Sequence, residues 1–600
     1  MESDKRIKIE GEGYLINKDS DKRFPVKFEV EQIRTGKISG KCMLSGFEYE
    51  DILSPSQLKD CRCISGELTK IRVYEMQEYI LEIFRKSSLK GETNNRGNLT
   101  IEEVFIYSCR IKDSKSERTL DLKFSAREVE VSCETISTKD QLWIKYGIIN
   151  LDLRSLLRGH IETDIGKITF STWKDHEEVI EKMKTFKTPL LSGFLNITDV
   201  NIGNFESFDS YFETVVDPTI GKVLELLSLA QSTYLSHCSV LIYAKTPNSN
   251  SNSQDDYKLK KLIMRDIKTK APSPGQPLIR DWEDIYKFIS PNTLQKYTDL
   301  REKCDLNIAF EWYLESLSHG VLQSDYLLAC TCLELLKDRY NKEIGKEYIV
   351  PKKLFDKKGY KYLKNKTSEM LNVIGINEDH TEYENIKKEI DENLISINRT
   401  SFNSSLLRLL NDLHIIYNDL FLEYLFSWDN VFGNDSKRLL RSLKDKLDIV
   451  WAKNAEISKS DDGKTIRISK DGNSAEIIID EKKEKATLKT SDGKTCSLNV
   501  KKVDNKLNIY FPDGTINKIS NIRNKITHTG IQGINPGVLF DVYEDLICLI
   551  QRIFLALLKY DGYFLDQNDC YARKKFTDFI SDGQHARAAE EIPRGENGQR

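Results

Sequence analysis

A short polar run near the end of the chain contains side chains that could cleave RNA. The run is Arg523-Asn524-Lys525-Ile526-Thr527-His528, between a predicted helix beginning near Ile516 and a strongly apolar predicted helix from about Pro536 to Tyr560. Cleavage of RNA by its own 2′-hydroxyl needs a base for the hydroxyl proton, an acid for the leaving 5′-oxygen and a cation for the charge on phosphorus. Histidine can move the proton, and the planar donor fork of arginine can hold the phosphate. Asn524 could orient the phosphate or the arginine, and this chemistry needs neither a metal nor a cofactor.

Spacing alone is weak evidence for such a site. An arginine and a histidine with four to six residues between them occur at two further places, Arg154/His160 and Arg408/His414. The first pair lies in a strand-rich segment beside a turn signal at Gly159. The second pair lies inside a predicted helix, where six steps of about 100° place the two side chains on different faces. We expect both pairs to be structural.

The pair Arg523/His528 has a different context. Glycines and Pro536 follow His528 closely and are predicted to end the helix just after the histidine. Five helical steps separate the two side chains by about 140°. A shared site therefore needs a distorted last turn or a cleft between two molecules. The alternative is a plain histidine at a helix C-terminus.

The first half of the chain has the pattern of β-strands. Runs of β-branched and aromatic residues, separated by turn residues, extend over Phe24 to Glu31, Ile101 to Ile111, Leu120 to Cys133 and Leu142 to Asp152. We expect an antiparallel sandwich or barrel-like domain. Further predicted elements are helices at Glu177 to Lys184 and Pro218 to His237, and strands at Ser239 to Ala244 and Tyr257 to Met264.

Helical periodicity then dominates from Pro291 to about Val450. The predicted helices are Asn307 to Ser318, Ser324 to Tyr340, Glu382 to Asn393, Ser404 to Phe426 and Ser436 to Ala452.

Between Glu456 and Ile516 the helical spacing of apolar residues gives way to an alternation of polar and apolar residues. Four Asp-Gly pairs begin at Asp462, Asp471, Asp492 and Asp513, and such pairs between alternating segments indicate hairpins. The predicted strands are Thr465 to Ser469, Ala475 to Asp480, Lys485 to Thr490, Thr495 to Val500 and Lys506 to Phe511. This is a β-meander inserted into a helical domain.

Composition limits the classes of protein to consider. Six hundred residues exceed a single core, and 30% charged residues with a net charge of −3 exclude a globally basic nucleic-acid coat. The charged start and the lack of an apolar run long enough to cross a bilayer predict a cytoplasmic protein without membrane contact. Cys61/Cys63 and Cys330/Cys332 are separated by one residue, which is too close for usual zinc sites. We expect reduced cysteines and no metal.

The helical half resembles the HEPN domain. The resemblance rests on the apolar run Leu327 to Leu336 with its internal Glu334, on the Arg523 to His528 run followed by Gly530, and on the long closing helix. The order of elements is similar to that of ApeA-like anti-phage HEPN proteins, in which a β-rich domain precedes the helical nuclease. The resemblance covers about residues 291–573 and, more loosely, the first 290.

The resemblance implies a homodimeric, metal-independent endoribonuclease in which Arg523, Asn524 and His528 form the catalytic motif. It also implies a role in abortive defence against phage, with RNA as substrate (tRNA being one candidate) and a phage-derived trigger as a further partner. On the facing helix, Glu334 could brace the site or form an ordinary buried ion pair. The meander departs from the compact HEPN pattern.

The expected fold class is therefore multidomain α+β. The predicted parts are a β-rich sensing or regulatory domain (1–290), a HEPN bundle in two parts (291–455 and 517–576), the inserted β-meander (456–516) and a disordered tail (577–600). The alternative function is a non-catalytic HEPN dimerisation or binding protein, which the near-neutral charge would suit. A weaker third alternative is a carbohydrate- or protein-binding β module on a helical scaffold.

Overall fold

The structure is a computed structural model that describes most of the chain. The described residues are 7–45, 80–85, 87–113, 118–152, 159–172, 175–200, 205–246, 256–267, 276–318, 320–374, 382–417, 423–427, 454–461, 463–480, 485–503, 506–511, 515–529, 534–567 and 571–580, with scattered positions between them. The chain divides into two compact units. Unit 1 comprises Met1–Arg301 with Gly562–Leu565, and unit 2 comprises Glu302–Asp561 with Asp566–Arg600.

Unit 1 is organised around a thirteen-stranded antiparallel sheet. Its strands are β1 (Ile7–Asn17), β2 (Arg23–Gln32), β3 (Ile38–Ser45), β4 (Ser87–Thr93), β5 (Asn98–Asp113), β6 (Arg118–Ala126), β7 (Glu128–Ser132), β8 (Leu142–Ile149), β9 (Ile161–Thr163), β10 (Gly166–Thr172), β11 (Leu191–Thr198), β12 (Ser236–Lys245) and β13 (Tyr257–Arg265). Among the described residues, its helices of seven residues or more are α1 (His176–Phe186), α2 (Asp217–Gln231), α3 (Trp282–Phe288) and α4 (Pro291–Lys303), the last of which continues past the end of unit 1. The predicted strand-rich first half is confirmed.

Six of these strands close into a ring in the order β4-β1-β2-β3-β6-β5, because β4 also pairs with β5. Alternate residues of β2 are buried, as the two-residue period of a strand requires. Glycines permit the close approach of β1 and β4: Gly13 lies opposite Gly91, and a Cβ on Gly13 would lie 2.2 Å from the carbonyl oxygen of Lys90. On the opposite side of this closed set of strands, Gly40 on β3 leaves room for the buried aromatic side chain of Phe124 on β6.

Unit 2 is helical and carries the meander. Its helices are α5 (Leu306–Ser316), α6 (Leu322–Glu343), α7 (Tyr360–Val373), α8 (Tyr383–Ile397), α9 (Phe402–Asp412), α10 (Thr515–Thr529) and α11 (Pro536–Leu557). Its seven-stranded antiparallel sheet consists of β14 (Glu423–Ser427), β15 (Glu456–Lys459), β16 (Thr465–Lys470), β17 (Asn473–Asp480), β18 (Lys485–Thr490), β19 (Thr495–Val503) and β20 (Lys506–Phe511). Two short strands, β21 (Tyr563–Asp566) and β22 (Ala572–Lys575), follow α11. The predicted helical region and all five predicted meander strands are confirmed.

Three predicted elements were wrong in extent. The predicted strand Leu120 to Cys133 is two strands, β6 and β7, with a break at Arg127. The predicted helix Pro218 to His237 ends at Gln231, because Ser232 takes a left-handed conformation with φ of 51° and the chain then enters β12.

The predicted helix Ser404 to Phe426 is also wrong. Helix α9 ends at Asp412, and residues 423–427 instead form β14, an edge strand that pairs with β20. An apolar run of this length satisfies a strand as well as a helix, and the pairing with a distant strand decides between them.

The disordered tail predicted for residues 577–600 is wrong at its first four residues. Phe576–Phe579 form a helical turn, and Phe579 and Ile580 are buried. Residues 581–600, about half of the predicted helix Ser436 to Ala452, and the Asp513-Gly514 pair lie outside the described residues. In the described part of the chain, no helix is both long enough and apolar enough to cross a bilayer.

Candidate functional site

The Arg523 to His528 run occupies the last turn and a half of α10. This helix forms because apolar side chains recur on one face, and Ile519 and Ile526, two turns apart, are both buried. Arg523 lies near the same face, since it is four residues after Ile519. His528 is nine residues after Ile519, a rotation of about 180°, and its side chain is exposed.

Within one copy of the chain, the motif therefore divides between two faces of α10. Asn524 and His528 are four residues apart, both are exposed, and they share the outer face. Arg523 faces the body of unit 2. The helix keeps its regular form through Thr529, and the hydroxyl of Thr527 donates to the carbonyl oxygen of Arg523 at 2.9 Å. The distorted last turn that would bring Arg523 and His528 together in one copy is absent from this described helix.

Arg523 is held by the neighbouring helix α6. Its Nη2 atom lies 2.9 Å from Oε1 of Glu334, and the two side chains are 39% and 29% exposed. This ion pair fits both predicted roles of Glu334, bracing the site and forming an ordinary ion pair, and does not decide between them. The contact is half-open to solvent, so the carboxylate neutralises Arg523 without sealing it from a ligand.

The packing of α6 against α10 fixes the position of this ion pair. Tyr326, Cys330 and Glu334 are spaced four residues apart along one face of α6. The buried hydroxyl of Tyr326 donates to the carbonyl oxygen of Ile519 at 2.9 Å. Burial raises the pKa of Tyr326, and burial likewise raises the pKa of the Cys330 thiol to about 12. Both groups are therefore neutral at physiological pH and add no charge beside Arg523.

The structure describes three of the four residues in the two other arginine–histidine pairs. Arg154 lies outside the described residues, and His160 is an exposed side chain 3.1 Å from Glu162. Arg408 donates to Asn341 at 3.1 Å and to a backbone carbonyl. His414 lies beyond the end of α9, with φ of 55°, rather than inside a helix as predicted.

A lysine-rich segment was not included in the sequence-based prediction. Residues 352–361 contain five exposed lysines and one aspartate. They begin a helical stretch formed by Lys352–Leu354, Phe355–Gly359 and α7. The signal was present in the sequence as a local excess of lysine, but the near-neutral charge of the whole chain concealed it.

Comparison with known proteins gives no match, whether to a protein-family model, a curated protein or a solved structure. In the part of the chain that the structure describes, no group of three or more His, Cys, Asp or Glu side chains is arranged to hold a metal ion. The resemblance to HEPN proteins stays a prediction.

Proposed function

We propose that the chain is a metal-independent endoribonuclease of the HEPN type and an effector of abortive anti-phage defence. Arg523, Asn524 and His528 would form its catalytic motif. The observation that carries the proposal is the placement of the motif: it ends a helix of the helical unit, with Arg523 positioned by Glu334 and with Asn524 and His528 exposed together. Unit 1 would sense the infection or restrain the nuclease.

The chemistry follows from the side chains. His528 removes the proton of a ribose 2′-hydroxyl, and the 2′-oxygen attacks the adjacent phosphorus. The bond to the 5′-oxygen breaks, and that oxygen takes a proton from an acid, which leaves a 2′,3′-cyclic phosphate and a free 5′-hydroxyl. Arg523 stabilises the added negative charge on the phosphoryl oxygens, and Asn524 orients the phosphate.

A second copy of the chain is part of the proposal. Because α10 is regular, Arg523 and His528 of one copy diverge by about 140°. A groove between two copies would bring such diverging groups to one phosphate. The expected active form is therefore a homodimer, with RNA in the groove.

One observation favours the non-catalytic alternative. Arg523 already has a carboxylate partner in Glu334. A structural role, holding α6 and α10 together, is enough to explain this ion pair. A dimerisation or binding protein would need no more. Cleavage assays separate the two functions.

The test compares the parent protein with His528→Ala, Arg523→Ala and His160→Ala, the last of which replaces an exposed histidine of unit 1 as a matched control. Labelled tRNA and single-stranded RNA are incubated with each protein in EDTA, and the fragment ends are mapped. Removal of the proton-transfer group should slow cleavage by about 10²-fold or more, and removal of the cation by about 10²- to 10³-fold. The control should cleave like the parent. If His528→Ala still cuts RNA at the parental rate, the proposal is wrong.

A further inference from the structure

The lysine-rich segment is a concentration of positive charge, with five lysines against one aspartate, Asp356. Its lysines are Lys352, Lys353, Lys357, Lys358 and Lys361. Among the described residues, none of the five forms an ion pair, and Lys352 instead lies 5.8 Å from the ring centroid of Tyr348. Like charges this close repel one another. In a chain with a net charge of −3, such a cluster is most stable beside a polyanion.

A polar cavity of about 490 Å³ lies next to this segment. Four cationic side chains and two carboxylates line it, with Asn341, Thr400 and Ser405 supplying neutral polar groups. Two of the four cations, Lys342 and Arg399, are exposed and have no ion pair with any described residue.

The cavity and the lysine segment are joined by backbone pairing. Ile349 N donates to the carbonyl oxygen of Asn398 at 2.8 Å, and the Asn398 side chain exchanges two further hydrogen bonds of 2.8 Å with the backbone of Val350. Residues 347–350 lead directly into the lysine segment, and Arg399 and Thr400, which follow Asn398, line the cavity. Lys342, Arg399 and the five lysines thus form one basic surface.

The basic surface starts on α6, the helix whose Glu334 pairs with Arg523. Lys342 follows Glu334 by eight residues on α6, about 12 Å along the helix axis. At about 3.4 Å per nucleotide along one strand, three to four nucleotides cover that distance. Tyr362, which is 62% exposed, adjoins Lys361 and offers an aromatic face for base stacking.

We propose that the basic surface binds the sugar–phosphate backbone of the RNA strand on one side of the phosphate held at Arg523. This inference rests on the proposed nuclease function, since it names where that substrate lies. Contact with phosphates would be independent of base sequence and would weaken as salt concentration rises.

The experiment measures binding of a fluorescein-labelled single-stranded RNA by anisotropy over a series of salt concentrations. The full-length His528→Ala protein is used, so that the RNA stays intact. The test variant adds Lys357→Gln and Lys358→Gln, and the control adds Lys485→Gln and Lys489→Gln, two exposed lysines of β18. Loss of two phosphate contacts should lower the slope of log affinity against log salt by about 1.4, at about 0.7 per contact for single strands. Single-stranded DNA should respond in the same way, and the control should match its parent.

Three results would overturn the inference. One is equal RNA affinity and equal slope in the two double variants, with thermal unfolding confirming that both are folded. Another is an unchanged RNA affinity together with lost binding to phosphatidylserine vesicles, which would make the surface a membrane contact. The third is lost binding to an acidic protein partner with RNA binding intact.

Failure of the nuclease proposal gives a different pattern. If the parent cuts no RNA but lysine-dependent RNA binding persists, the basic surface stands and the catalytic assignment falls. If the parent cuts RNA, and Lys357→Gln with Lys358→Gln changes neither RNA binding in the His528→Ala background nor cleavage in the protein that keeps His528, the basic surface falls and the catalytic assignment stands.

Discussion

The ion pair between Arg523 and Glu334 gives the sharpest test of what the arginine does. Replacing Glu334 by glutamine removes one negative charge and keeps an oxygen that can accept the arginine N–H. If Arg523 meets a phosphate, this variant should bind uncleaved RNA more tightly than its parent, because the cation is no longer half-neutralised.

The exposure of the pair sets the magnitude. Two unit charges 2.9 Å apart attract by about 1.4 kcal/mol at the dielectric constant of water. Side chains that are 39% and 29% exposed are solvated and mobile, and measured exposed pairs contribute about 0.2–1 kcal/mol. The measured range of about 0.2–1 kcal/mol is therefore the appropriate one for this ion pair. It predicts an RNA dissociation constant lower by about 1.4- to 5-fold and a salt slope steeper by up to about 0.7.

The assay is RNA anisotropy titration in the His528→Ala background. Glu476→Gln is the matched control, because Glu476 pairs with Arg467 at 3.0 Å in the meander, away from the motif. The control should leave affinity and slope unchanged. If Glu334→Gln and Arg523→Ala both leave RNA binding unchanged, Arg523 is a structural residue that meets no phosphate.

Three predictions concern stability. Arg552→Met should lower the free energy of unfolding by about 1–3 kcal/mol in urea titrations, because it removes the hydrogen bond to the carbonyl oxygen of Ile416 at 2.8 Å and one of the two cations beside the buried carboxylate of Asp566, which keeps Lys574 at 3.1 Å; an unchanged free energy of unfolding would contradict this. Gly40→Ala should cost about 1–3 kcal/mol, seen as a lower melting temperature, because the new Cβ would lie 2.2 Å from a buried ring. Burial alone would raise the pKa of Asp217, but the hydrogen bond from His237 and the neighbouring arginine lower it below 3.8. The resulting stability is present above that ordinary pKa and is lost as pH falls through the lower folded value. Asp217→Asn should therefore flatten the acid limb of a stability–pH curve, and an unchanged limb would contradict the assignment.

The parts of the fold that could be predicted are those encoded locally. Asp471 and Gly472 have φ values of 50° and 82°, the conformation that an Asp-Gly hairpin turn requires, and β16 and β17 flank them as expected. Closure of the ring in unit 1 could not be predicted in this way. It depends on β4 meeting both β1 and β5, and a strand's own alternation does not specify its partners.

The same distinction applies to β14. Its segment has an apolar pattern that a helix shares, and it becomes a strand because β20, about eighty residues later, offers a pairing edge. Local periodicity carries no information about that edge.

At the candidate site, the sequence predicted the position of the motif at the end of a helix, because the residues that stop the helix are adjacent to it. It left the role of Glu334 open, since an ion pair across 189 positions of the chain depends on how two helices pack. It missed the basic surface for a different reason. Two of its cations, Lys342 and Arg399, are brought to the lysine segment by packing and backbone pairing.

Helix α6 connects the two proposals physically. Its Tyr326 anchors α10 through a buried hydrogen bond to the backbone, and its Glu334 positions Arg523. Burial keeps Tyr326 protonated and raises the pKa of Cys330 to about 12, so neither group is charged beside Arg523. Among the described carboxylates, Glu334 is the one paired with Arg523. The charge available to a phosphate at this point therefore depends on a single side chain. A strand bound there and on the basic surface would contact one rigid helix at both places, so variants at Glu334 and at Lys342 should change RNA affinity in opposite directions.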